Sequence, residues 1–97
     1  MKSKSAIGMI VLLLALGIIG CRYDLNVENR TSRTLDIYVD NYFEGSVAGG
    51  NALFIRHIPQ GEHLLEAIDA KGVVIADEIV YLDENTTWII DEHGRQR

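Results

Sequence analysis

The chain reads as all-β: a small antiparallel β-sandwich of six to seven strands, preceded by a helical signal peptide. Two patterns predict this. From Tyr23 onward apolar and polar residues alternate in short runs, which is the period of a strand with one buried face. Between the runs, clusters of Asn, Gly, Pro and Asp recur at the roughly 8–12-residue spacing of sandwiches and barrels. Length supplies a third bound, because 97 residues hold one domain at most and a small core.

The leader comes first in the chain. Met1 to Ser5 carries Lys2 and Lys4, and the 15 residues from Ala6 to Gly20 have no charged or polar side chain. As a helix they rise about 22 Å, short of the roughly 30 Å hydrocarbon core of a bilayer. An export signal over residues 1–20 is expected, rather than a permanent span. Ile18-Ile19-Gly20-Cys21 resembles the lipobox of bacterial lipoproteins. The resemblance implies diacylglyceryl transfer to the Cys21 sulfur, cleavage between Gly20 and Cys21, and acylation of the new amino group with palmitate-type chains. Two or more chains hold a protein stably at a membrane. Residues 21–22 are then the anchor site. Arg22, where an aspartate would retain some lipoproteins at the inner membrane, implies the outer membrane in a Gram-negative cell.

The chain beyond the leader is acidic. Without Lys2 and Lys4, seven Lys and Arg face 14 Asp and Glu, a net charge of about −7. That disfavours nucleic acid and anionic headgroups as partners. The single cysteine cannot close an intramolecular disulfide, so packing must hold the domain.

The domain is expected over residues 23–91, with a polar tail at 92–97. Tyr23 to Glu28 alternates with Leu25 and Val27 on one face, so the first strand starts without a linker and the domain should ride close to its membrane. Asn29 to Arg33 is a polar turn cluster. Thr34 to Asp40 alternates with Leu35, Ile37 and Val39 inward and Tyr38 outward. Asn41 to Gly45 turns the chain, Ser46 to Ala48 makes a short return strand, and Gly49-Gly50-Asn51 breaks it. Ala52 to Ile58 is a strand with Leu53 and Ile55 on one face and Phe54 and Ile58 on the other. Pro59 to Glu62 has the form of a β-turn. His63 to Ala70 also fits a helical face and ends at Lys71-Gly72, but eight residues make a marginal helix and both neighbours are strands, so a strand is expected. Val73 to Leu82 is a long strand bent at Asp77-Glu78, and Thr86 to Asp91 is the last.

Ile37-Tyr38-Val39-Asp40, Gly45, and Ile58-Pro59-Gln60-Gly61-Glu62-His63 resemble the pattern of PEGA-type and carboxypeptidase-regulatory-like domains. These are small transthyretin-like β-sandwiches of bacterial surface and envelope proteins. Asn41 stands where glycine is usual and no proline follows Gly45, so the resemblance is one of architecture. It implies a binding or spacer module with no catalytic residues to carry over.

Chemistry has little to stand on. His57, His63 and His93 lack metal-ligand spacing and no Gly-x-Ser-x-Gly elbow is present. His63 reads as a turn-adjacent residue with a satisfied hydrogen bond, and His57 as partly buried. Asp36, Asp40, Glu44 and Asp83-Glu84-Asn85 lack the calcium-loop form. Asn29-Arg30-Thr31 and Asn85-Thr86-Thr87 match the glycosylation sequon, which beside a bacterial lipobox is accidental. No catalytic residue, metal site or cofactor is expected, and the protein is not expected to be an enzyme. Tyr38, Tyr42 and Phe43, two of them at a predicted hairpin tip, form a candidate contact patch; the plainer alternative folds Phe43 back as a plug of the core edge. Trp88 is expected at the core's centre. The expected function is a lipid-anchored, non-catalytic envelope module that binds or scaffolds another envelope component, a protein or a glycan, near the membrane; a carbohydrate or cell-wall-glycan binder is the alternative, and a small envelope enzyme comes last.

Overall fold

The structure, a computed structural model, describes residues 21–92. The expected signal helix and His93 lie outside them. Seven strands run in order: β1 (Arg22–Arg30), β2 (Leu35–Val39), β3 (Tyr42–Val47), β4 (Ala52–Pro59), β5 (Gly61–Asp69), β6 (Val74–Leu82) and β7 (Thr86–Asp91). They form a three-stranded sheet, β4-β1-β7, and a four-stranded sheet, β3-β2-β5-β6. The all-β expectation holds, and the ambiguous stretch from His63 is strand β5, paired on both sides by β2 and β6.

The core lies between the sheets because β1, β2, β5 and β7 alternate and each turns one face inward. Leu25, Val27, Ile55, Ile58, Trp88 and Ile90 meet Leu35, Ile37, Val39, Val47, Leu65, Ala67 and Leu82. Trp88 is buried, but on an edge strand beside an open cleft rather than at the core's centre.

Several local expectations are corrected. One pairing is not antiparallel: β7 runs parallel to β1, with Val27 opposite Trp88. The turn after Val39 is only Asp40-Asn41, both at positive φ (52° and 70°), the two-residue type I′ geometry that matches strand twist. Strand β3 therefore starts at Tyr42, earlier than Ser46. In β4, His57 takes φ 63°, and Arg56 with His57 stands opposite the single residue Asp24 between the Tyr23–Ile58 and Leu25–Ile55 pairs. Asp24 Oδ1 accepts the His57 N–H at 3.2 Å. This bulge resets the parity, so Ile58 joins Ile55 in the core and His57 is exposed. In β6 the extra residue is Ile75, between the Ile68–Val74 and Ala67–Ala76 pairs, and not Asp77-Glu78.

Asn29 ties the corner where β1 leaves its sheet. It is 1 % exposed. Its Nδ2 donates to the carbonyls of Arg33 (2.7 Å) and Val47 (2.9 Å), and its Oδ1 accepts from the Thr31 N–H (3.0 Å) and hydroxyl (2.7 Å). The amide nitrogen that a sequon would offer is thus spent on the fold.

Candidate functional site

The outer faces of the two sheets differ in kind. On the three-stranded sheet the central strand turns Asn26, Glu28 and Arg30 outward, and its strands balance Arg22, Arg30 and Arg56 against Asp24, Glu28 and Asp91. The strands of the four-stranded sheet carry no Lys or Arg, and Asp36, Glu62, Glu66 and Asp77 share their outward parity. Its central strands nevertheless turn Tyr38, Leu64 and Ile68 outward. This face is acidic and apolar together.

Local structure places its aromatic end. Alternation in β2, with Ile37 and Val39 buried, forces Tyr38 outward. On β3 the register slips, so that Ile37 faces Gly45 but Tyr38 faces Phe43, leaving Glu44 as the extra residue. The Tyr38 and Phe43 rings meet edge to face, with centroids 5.6 Å apart at 62°, a preferred aromatic geometry. Phe43 is 57 % exposed, so it does not plug the core. Tyr42, opposite the buried Val39, lies on the other side of the hairpin, lining a small recess with His57 and Pro59. The expected trio is divided: Tyr38 and Phe43 come together, and Tyr42 does not join them.

Three further residues extend the pair. Leu64 is one step diagonal from Tyr38 across β5, because Tyr38 pairs with Glu66. Leu64 pairs with Ile79, and Glu62 with Tyr81. Phe43, Tyr38, Leu64, Ile79 and Tyr81 thus run as a band across all four strands, with Ile79 and Tyr81 65 % and 60 % exposed. Alternation within β6 signals that Ile79 and Tyr81 share a face, but only the pairing shows that this face continues Tyr38 and Phe43. Contiguous exposed apolar area of this kind marks contact surfaces.

The turn of the hairpin is fixed by His63. Its Nδ1–H donates to Asp40 Oδ2 at 2.6 Å and its Nε2–H to the Pro59 carbonyl at 2.7 Å. Both ring nitrogens face acceptors, which the imidazolium alone satisfies. Burial by itself lowers the His63 pKa, but the bonds to Asp40 and Pro59 and the Asp40 charge outweigh it and hold the value above 6.5. Burial likewise raises Asp40, and the bonds from His63 and the Leu64 N–H, with the His63 charge, carry it below 3.8. His63 is therefore a satisfied structural residue, as its turn-adjacent position predicts.

Cys21 is exposed, immediately before β1, and its carbonyl accepts the Gln60 N–H at 2.9 Å. That bond places the anchor candidate beside the turn between β4 and β5. Among the described residues no group of three or more His, Cys, Asp or Glu could hold a metal ion. Comparison of the chain with family models, with curated proteins and with solved structures finds no match.

Proposed function

We propose that this chain is a lipid-anchored envelope protein whose β-sandwich binds or scaffolds another envelope component close to the membrane, through the outer face of the four-stranded sheet. The observation that carries the reading is the band from Phe43 to Tyr81 on strands that hold carboxylates and no Lys or Arg. Such a face favours a protein surface that offers apolar side chains among Lys and Arg: the apolar contact supplies affinity, and the complementary charge supplies rate and selection of partner. The start of β1 one residue after Cys21 supports a short tether, since acyl chains on that sulfur would leave no spacer between bilayer and domain. The module acts by contact, without catalysis.

Photo-crosslinking in intact cells from position 43 tests this. A crosslinker there should trap one protein, and the same probe at Phe54, on the other sheet's outer face, should not. Trapping of lipid alone, of glycan, or of the same products from both positions would contradict it.

A further inference from the structure

The two sheets close against each other on one side, where β3 and β4 meet, and part on the other. There the outer edges of β6 and β7, each the last strand of its sheet, border an open cleft of about 740 Å3, within the range of ligand-binding clefts. Its lining includes the apolar Ile75, Ala76, Trp88 and Ile90, the carboxylates of Asp77 and Glu78, and Arg33, whose guanidinium is already paired with Asp69 at 3.0 Å. Glu78 pairs across β5 with the buried Leu65, so it lies on the inward parity of its strand. No described cation or donor meets its carboxylate.

We propose that this cleft receives an extended strand from a basic partner, which adds to the free edge of β6. An edge strand presents alternate unpaired N–H and C=O groups that such a segment satisfies, while its alternate side chains enter adjacent pockets. A strand laid along β6 sends one set of side chains inward, over Ala76 and Trp88 and beside Glu78, and the other set outward beside Asp77 and Ile79. Apolar residues match the first surfaces, and Lys or Arg matches the two carboxylates. The same carboxylates disfavour a second copy of this chain. Antiparallel self-pairing about the centre of β6 sets Glu78 against Glu78 or against Asp77, and like charges directly opposite destabilise a ladder; acidic edge residues are a known guard against it. This inference does not depend on the proposed lipid anchor; it shares Ile79 with the outer-face band but needs the free edge of β6, which the outer-face reading does not.

The test uses hydrogen exchange on the full protein in detergent micelles with two nine-residue probes, an alternating Lys-Val peptide and an alternating Glu-Val peptide. The Lys-Val peptide should slow exchange in residues 74–82 and 86–92, and the Glu-Val peptide should not. Glu78→Gln should weaken the Lys-Val peptide about threefold to fivefold, the size of an exposed ion pair, and added salt should weaken it further. The proposal is overturned if neither peptide protects these strands, if both protect them equally, if protection falls only on the outer face at 36–46 and 62–68, or if Glu78→Gln binds unchanged. Protection without peptide, accompanied by a doubled sedimenting mass, would assign the edge to a second copy instead.

Discussion

Two asparagines three residues apart on β1 should respond to alanine very differently, one with a large loss and the other with almost none. In Asn29→Ala the Thr31 N–H loses the Oδ1 it donates to, and the Val47 and Arg33 carbonyls lose a donor. A buried group left without a partner costs roughly 1–3 kcal/mol. The Thr31 hydroxyl keeps the Arg33 carbonyl at 3.3 Å, so we assign about 2 kcal/mol to the stranded N–H and about 1 kcal/mol to the two carbonyls together. Against the roughly 4–11 kcal/mol expected of a domain this size, about 3 kcal/mol is a large loss, and it lowers Tm by about 12–24 °C. Asn26 is the control. Its Oδ1 is buried with no partner among the described residues, and its Nδ2 reaches Glu28 only at 3.5 Å. Asn26→Ala removes an unpaired acceptor, so stability should stay within about 0.5 kcal/mol of the parent. Urea unfolding followed by tryptophan fluorescence measures both, with Trp88 as the reporter. Equal losses, or a larger loss at Asn26, would refute the assignment of Asn29 as the corner's hydrogen-bond hub.

The His63–Asp40 pair sets a pH profile. The raised pKa of His63 gives stability that is complete below its ordinary 6.5 and is lost as pH rises through the higher folded value; the lowered pKa of Asp40 gives stability present above 3.8 and lost as pH falls through the lower folded value. Urea midpoints should therefore be highest between about pH 4 and 6.5, and Asp40→Asn, which suits the left-handed turn, should flatten the fall above 6.5. A variant profile as steep as the parent's would sink this. Gly49→Ala should cost about 1–3 kcal/mol, because a Cβ there meets the Thr31 carbonyl oxygen at 2.6 Å and the Ser32 carbonyl carbon at 3.0 Å, both backbone; a fall in Tm of less than about 4 °C would contradict it.

Strand identity was legible wherever one face is buried throughout, as in Leu35, Ile37 and Val39 or Leu25 and Val27. Alternation is local and survives into the fold. It fails where one residue breaks the period. His57 in the left-handed conformation moves Ile58 into the core, and the extra Glu44 brings Val47 opposite Leu35 and into the core, while the two-residue Asp40-Asn41 turn sets Phe43 on the Tyr38 face and Tyr42 on the other. No residue type announces such a bulge, since histidine and glutamate are ordinary strand-surface residues. The parallel β1–β7 pairing was invisible for a different reason: a strand's pattern fixes its buried face and says nothing of its neighbour. Asn29 was hidden because a polar residue beside Arg30 and Thr31 reads as solvated turn, and burial emerges only when the 31–33 and 47–51 segments close over it. Of the exposed apolar band, Tyr38 and Phe43 could be named in advance; Leu64, Ile79 and Tyr81 required the register of three strands.

The central claim, a sandwich held against a membrane by Cys21, is tested most directly by the mass of the mature N-terminal peptide from cells. The account predicts a peptide beginning at Cys21, heavier by a diacylglyceryl group and an N-linked acyl chain, and a Cys21→Ser variant that leaves the membrane fraction. An unmodified Cys21, with Cys21→Ser still fully membrane-bound, would contradict it.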